Sequence, residues 1–90
     1  MGYEYKLDVQ LTDLEQADLV LRAIPGFEAY DAEFTLYSFR RDATGAMPDA
    51  HVKIEASGIY VCENGGSSQI VGEIRAAFAA IGFPAEPREL

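Results

Sequence analysis

Two alternating runs meet at Ser57-Gly58, and they restrict the fold more than any other stretch of this chain. From Ala50 onward, Val52, Ile54 and Ala56 alternate with His51, Lys53 and Glu55; past the turn, Ile59 and Val61 alternate with Tyr60 and Cys62. Glycine supplies the positive φ of a primed two-residue turn, so the passage reads as a hairpin turning at Ser57-Gly58. That turn predicts Ala56 opposite Ile59, Glu55 opposite Tyr60, Ile54 opposite Val61, Lys53 opposite Cys62 and His51 opposite Asn64. One face of the hairpin is aliphatic, and the other holds the chain's single His and single Cys. A register sends every side chain to core or solvent, because side chains alternate with a period of two.

Around the hairpin the remaining elements fall into place. Tyr3, Tyr5, Leu7, Val9 and Leu11 alternate with Glu4, Lys6, Asp8 and Gln10, the pattern of a half-buried strand. Thr12-Asp13-Leu14-Glu15 has the spacing of a capping box with Thr12 as the cap. Leu14, Ala17, Val20, Leu21 and Ile24 then make one side of a helix that Pro25-Gly26 stops. Residues 27–41 are extended, with apolar groups on both faces; either a bulge near Tyr30-Asp31 shifts the phase, or a short strand over 27–29 precedes a longer one. A loop at 42–49 leads into the hairpin. Ser67 or Ser68 is placed to cap a second helix with the stripe Ile70, Val71, Ile74, Ala77, Phe78 and Ile81, which Gly82 ends.

The expected order is β-α-β-β-β-α. Two amphipathic helices and a sheet with one apolar face bury each other as an α+β two-layer sandwich. The expectation is a mainly antiparallel four-stranded sheet with both helices on one face, forming a single domain over 1–84. Residues 85–90, which follow Pro84 and contain Pro87, read as an extended C-terminal tail.

Composition narrows the partners. The chain has 90 residues and a net charge of −8, from 15 acids against 7 bases. Such a chain repels phosphate backbones and anionic lipid, which argues against nucleic acid and membrane surfaces. The first residues lack the basic and apolar regions of a signal peptide, and a lone Cys62 cannot close an internal disulfide, so a reduced cytoplasmic setting is expected.

The chemistry-bearing residues form no catalytic, cofactor or metal constellation. Cys62 and His51 lie on one face but diagonally in the expected register, and one Cys with one His does not make a metal site. Arg40-Arg41 is the only basic pair and a candidate contact for an anion. The open sheet face is the main candidate surface: on the phase that points Tyr37 and Phe39 outward, it carries Tyr37, Phe39, His51, Lys53, Glu55, Tyr60 and Cys62. Aromatic side chains on such a face suit a docking contact. The leading expectation is therefore a non-catalytic interaction protein that self-associates, as a homodimer, or docks another protein through this face. A second reading is an acidic inhibitor or immunity-type protein that binds a basic enzyme, which requires the acids to gather on one surface. A third is a small-molecule binder or enzyme using Arg40, Arg41, His51, Tyr60 and Cys62.

Overall fold

The computed structural model describes residues 3–41, 45–64 and 70–90. Its elements run β1 (Tyr3–Leu7), α1 (Leu14–Ala23), β2 (Phe27–Asp31), β3 (Leu36–Phe39), β4 (Ala50–Glu55), β5 (Gly58–Glu63), α2 (Ile70–Ala80) and β6 (Arg88–Glu89). The class is α+β, as the patterning implies. The sheet, however, has six strands rather than four, in the order β2-β3-β4-β5-β1-β6, and every neighbouring pair is antiparallel.

The two extra strands have separate causes. Residues 27–41 are a hairpin of β2 and β3, not one extended segment. Its turn contains neither Gly nor Pro: the Asp31 carboxylate accepts the Glu33 and Phe34 amides at 2.9 and 3.4 Å, and Thr35 takes a left-handed φ of 50°. Side-chain capping of its own downstream amides lets Asp do the work that Gly or Pro usually signals. The register breaks between Phe27 and Ala29, one turn of chain earlier than the bulge expected at Tyr30-Asp31. Because of that extra residue, Phe27 and Tyr30 both lie on the side of Phe39 and Tyr37. The sixth strand comes from the tail. Arg88 pairs with Lys6, Glu89 pairs with Tyr5, and the Leu90 amide donates to the Glu4 carbonyl at 2.9 Å.

The central hairpin keeps its faces but not its exact pairing. The loop residues are Ala56 and Ser57, Gly58 opens β5 opposite Glu55, and the pairs are Ile54–Ile59, Lys53–Tyr60, Val52–Val61 and His51–Cys62. Relative to the expected register this is a slip of two, which preserves which residues share a face. Neither Ala56 nor Ser57 has a positive φ; Gly58 does, at +146°. A Cβ on Gly58 would lie 2.0 Å from the Leu7 carbonyl oxygen, so the glycine serves the close approach of β1 and β5 rather than a primed turn.

The helices match their stripes with one shift each. Asp13, not Thr12, caps α1 and accepts the Gln16 amide at 3.1 Å. Asp is at least as good a cap as Thr, and a good cap is worth about 1 kcal/mol. Ala17, Leu21 and Ile24 reach the core, whereas Leu14, in the first turn, does not. Ile70, Ile74 and Phe78 of α2 are fully buried. Gly82 ends α2 at a φ of +94°, with the Phe83 amide on the Phe78 carbonyl at 2.9 Å and the Gly82 amide on Ala79 at 3.2 Å, the paired bonds of a Schellman motif. Ser67 and Ser68 lie outside the described residues. The carboxylate of Glu63, buried at the end of β5, accepts the Val71 amide and holds the first turn of α2. Burial pushes the Glu63 pKa up, and its hydrogen bonds to the helix amides pull it back.

The core lies between the helices and one sheet face. It joins Leu7, Tyr37, Phe39, Ala50, Val52, Ile59 and Val61 from the sheet to Ala17, Leu21, Ile70, Ile74 and Phe78 from the helices. No helix among the described residues is long and apolar enough to cross a membrane.

Candidate functional site

Tyr37 and Phe39 are not on the open face. Tyr37 pairs with Val52 and Phe39 with Ala50, which places both under the helices, 4 % and 0 % exposed. The physical reason is the phase of β3: Leu36 and Ser38, not Tyr37 and Phe39, alternate outward. Phe39 packs edge-on to Phe27 with ring centroids 5.9 Å apart. Tyr37 meets Tyr30 at a 45° tilt with ring centroids 4.6 Å apart, and its phenol donates to Asp18 of α1 at 2.6 Å. That bond, with Arg22 on the same carboxylate, holds the Asp18 pKa below the usual carboxylate range.

His51, Lys53, Glu55, Tyr60 and Cys62 do share the open face, and their polar groups are mostly answered there. Lys6 from β1 joins them, bonding Glu55 at 2.7 Å and Ser57 at 2.8 Å. The Tyr60 phenol donates to Glu4, and this contact together with burial pushes its pKa up. His51 and Cys62 are direct cross-strand partners, closer than the expected diagonal. Asn64 nonetheless sits between their polar atoms: its Oδ1 accepts from the Cys62 thiol at 3.6 Å, and its Nδ2 lies 3.3 Å from His51 Nδ1 and donates to the Pro48 carbonyl at 2.9 Å. The Asn64 amide thus accepts from the thiol on one side and faces the imidazole on the other, so the Cys62 thiol and the His51 ring are not bonded to each other.

Burial lowers the His51 pKa below its ordinary 6.5. The unfolded chain then binds a proton on His51 more readily than the folded chain. This contribution to stability is therefore fully present above pH 6.5 and is lost as the pH falls from there through the folded value. An NMR titration of the His51 ring should give a midpoint under 6.5, and His51→Gln should remove this part of the decline. A midpoint above 6.5 would contradict the burial.

Arg40 and Arg41 are committed within the chain. Arg40 bonds Glu28 at 2.6 Å and the Gly45 carbonyl at 2.8 Å, which ties the loop to β2. Arg41 bonds the Pro25 carbonyl through two nitrogens, at 3.0 and 2.7 Å, and pairs with Glu73. The backbone of Arg41 donates to the buried Asp49 carboxylate. Both guanidinium groups thus act as struts between elements, which leaves the anion contact without support. No group of three or more His, Cys, Asp or Glu among the described residues could hold a metal ion.

An open apolar surface lies elsewhere. A groove of about 550 Å³ runs between α1 and the end of the sheet. Leu14, Glu15, Asp18 and Leu19 form its helical wall, and Tyr30, Thr35, Tyr37 and Ile54 form its floor and far wall. Leu14 is 62 % exposed and Leu19 66 %, and Phe34, beside Thr35 on the β2–β3 turn, is 61 % exposed. Three large apolar side chains this open at one end of a small protein are more than solubility calls for.

No family model, curated protein or solved structure matches this chain. The groove therefore has to be read from its own chemistry.

Sequence reasoning passed over it, although two signals were present. Leu19 is a large apolar residue off the buried stripe of α1, and Phe34 is an aromatic residue in a turn. Neither belongs to a core pattern: Leu19 lines the groove, and Phe34 is the chain neighbour of its lining residue Thr35. Of the acids that an inhibitor could gather, Glu15 and Asp18 line this groove, and Asp31 and Glu33 lie on the segment between its lining residues Tyr30 and Thr35. Asp49 is instead buried against the Arg41 backbone, and Asp42 lies outside the described residues.

Proposed function

We propose that this protein is a small non-catalytic docking module that binds another protein through the groove beside α1. The observation that carries the reading is the contrast between the two surfaces: Leu14 and Leu19 stand exposed at the groove with Phe34 exposed on the turn beside it, while the open sheet face has most of its polar groups answered and has lost Tyr37 and Phe39 to the core. Exposed leucines gain most from being covered, because each apolar side chain removed from water stabilises a contact by about 1.5–3 kcal/mol. The Cys62 thiol bonded to Asn64, and Arg40 and Arg41 committed to structural contacts, favour binding over catalysis. A cytoplasmic setting is part of the proposal and rests on the single free thiol, Cys62.

Amide NMR spectra recorded with isopropanol and with indole as small apolar probes test this. The expected shifts concentrate at Leu14, Leu19, Tyr30, Thr35 and Ile54. Probes that leave those amides unmoved would remove the groove as a docking surface. Shifts centred on Tyr60 and Cys62 would return the contact to the sheet face.

A further inference from the structure

We infer that the occupant of this groove is a basic amphipathic helix presented by a different protein; the inference rests on the docking role proposed above.

Charge is the first argument. Glu15 and Asp18 line the groove, and the chain from 13 to 41 around it holds the acids Asp13, Glu15, Asp18, Glu28, Asp31 and Glu33 against Arg22, Arg40 and Arg41. Arg22 pairs with Asp18 at 2.9 Å and Arg40 with Glu28 at 2.6 Å, so among the described residues the acids left without an ion pair there are Asp13, Glu15, Asp31 and Glu33. Among the described residues, the carboxylates of Glu15 and Glu33 make no hydrogen bond or ion pair, and both are exposed. An apolar floor with an unanswered acidic rim complements a segment with an apolar stripe flanked by Lys or Arg.

The same bookkeeping of charges argues against a second copy. Six of the chain's seven bases are already ion-paired with its own acids, with Lys53 the exception. A second copy would bring carboxylates to carboxylates. A nucleic acid or an anionic membrane is repelled for the same reason.

The groove lies alongside α1: Leu14, Glu15, Asp18 and Leu19 of that helix make one wall, and Tyr30 and Ile54 opposite them remain only half-buried on the core-facing side. A helix laid along α1 would seat its stripe against Leu14 and Leu19.

The test uses three fluorescein-labelled peptides of about four helical turns. One has Leu on one face and Lys on the rest. A second replaces each Lys by Glu, and a third keeps the Lys and Leu composition but scatters the Leu. Anisotropy titrations on the full chain should show the first binding at least about tenfold more tightly than either of the others, and more weakly as salt is raised. Leu19→Ser should weaken it by about tenfold or more, and Glu15→Gln with Glu33→Gln should flatten its salt dependence. Because these side chains are exposed, both variants should melt like the parent. Equal binding of the Lys and Glu peptides would overturn the basic partner while leaving the docking role standing. Equal binding of the scattered peptide would show charge attraction without a groove and overturn the helix. Binding of none of the three would overturn the docking role itself.

Discussion

Phe39→Glu is expected to abolish folding. Phe39 is fully buried, lies beside Ala50 on β4 and packs edge-on to Phe27 on β2. No basic group replaces the water a carboxylate would lose there. An unpaired buried charge costs several kcal/mol even after relaxation, and the lost aromatic packing adds about 3–5 kcal/mol. A domain of this size has only about 5–15 kcal/mol of net stability to lose. The variant should show no cooperative transition in urea followed by circular dichroism. Tyr60→Glu is the matching control: it lies on the open face, and its carboxylate near Glu4 should cost only a small part of the stability. A cooperative melt for Phe39→Glu would mean that β3 presents the other face to the helices, and Phe39 would then rejoin the outer surface.

The second large effect is expected at Gly58. A methyl group there would meet the Leu7 carbonyl oxygen at 2.0 Å and the Val9 nitrogen at 3.1 Å, on a backbone at φ +146°. The first contact is with main chain and cannot be relieved by a side-chain rotation. Gly58→Ala must either part β1 from β5 or twist the start of β5, and the loss should be about 3 kcal/mol or more. Gly72→Ala gives the opposite sign from the same substitution. Nothing lies within 4 Å of the added carbon, and the site is inside α2, so a gain of about 0.5–1 kcal/mol is expected. Midpoints from urea denaturation of both variants measure the pair. A Gly58→Ala protein as stable as its parent would remove the close approach of the two strands.

What the amino-acid pattern reveals here depends on whether a face is uniformly apolar. The hairpin of β4 and β5 kept its inner face through a slip of two because alternation constrains parity more strongly than pairing. α2 was legible residue by residue, since Ile70, Ile74 and Phe78 meet no competing stripe. Residues 27–41 resisted for a different reason: Phe34, Leu36, Tyr37 and Phe39 put apolar groups on both sides, and the turn is made by an Asp side chain and a left-handed Thr35. The two-residue β6 has no pattern to read, because its pairing rests on main-chain bonds to β1. The open-face residues His51, Lys53, Glu55, Tyr60 and Cys62 were legible as neighbours. The groove was not, because it is assembled from residues that each look like exceptions on their own element.

The position of β1 has a consequence for how the chain matures. Strands β2 to β5 are consecutive and form a meander whose pairings close only short loops. β1 is made before them, yet both of its neighbours come later: Leu7 waits for Ile59, and Tyr5 waits for Glu89. During synthesis the first strand therefore leaves the ribosome without a pairing partner, its backbone donors and acceptors solvated, until β5 and then β6 emerge. The alternating Glu4, Lys6 and Asp8 keep that waiting segment charged on one side, which protects an orphan strand from pairing with the nascent chain next to it.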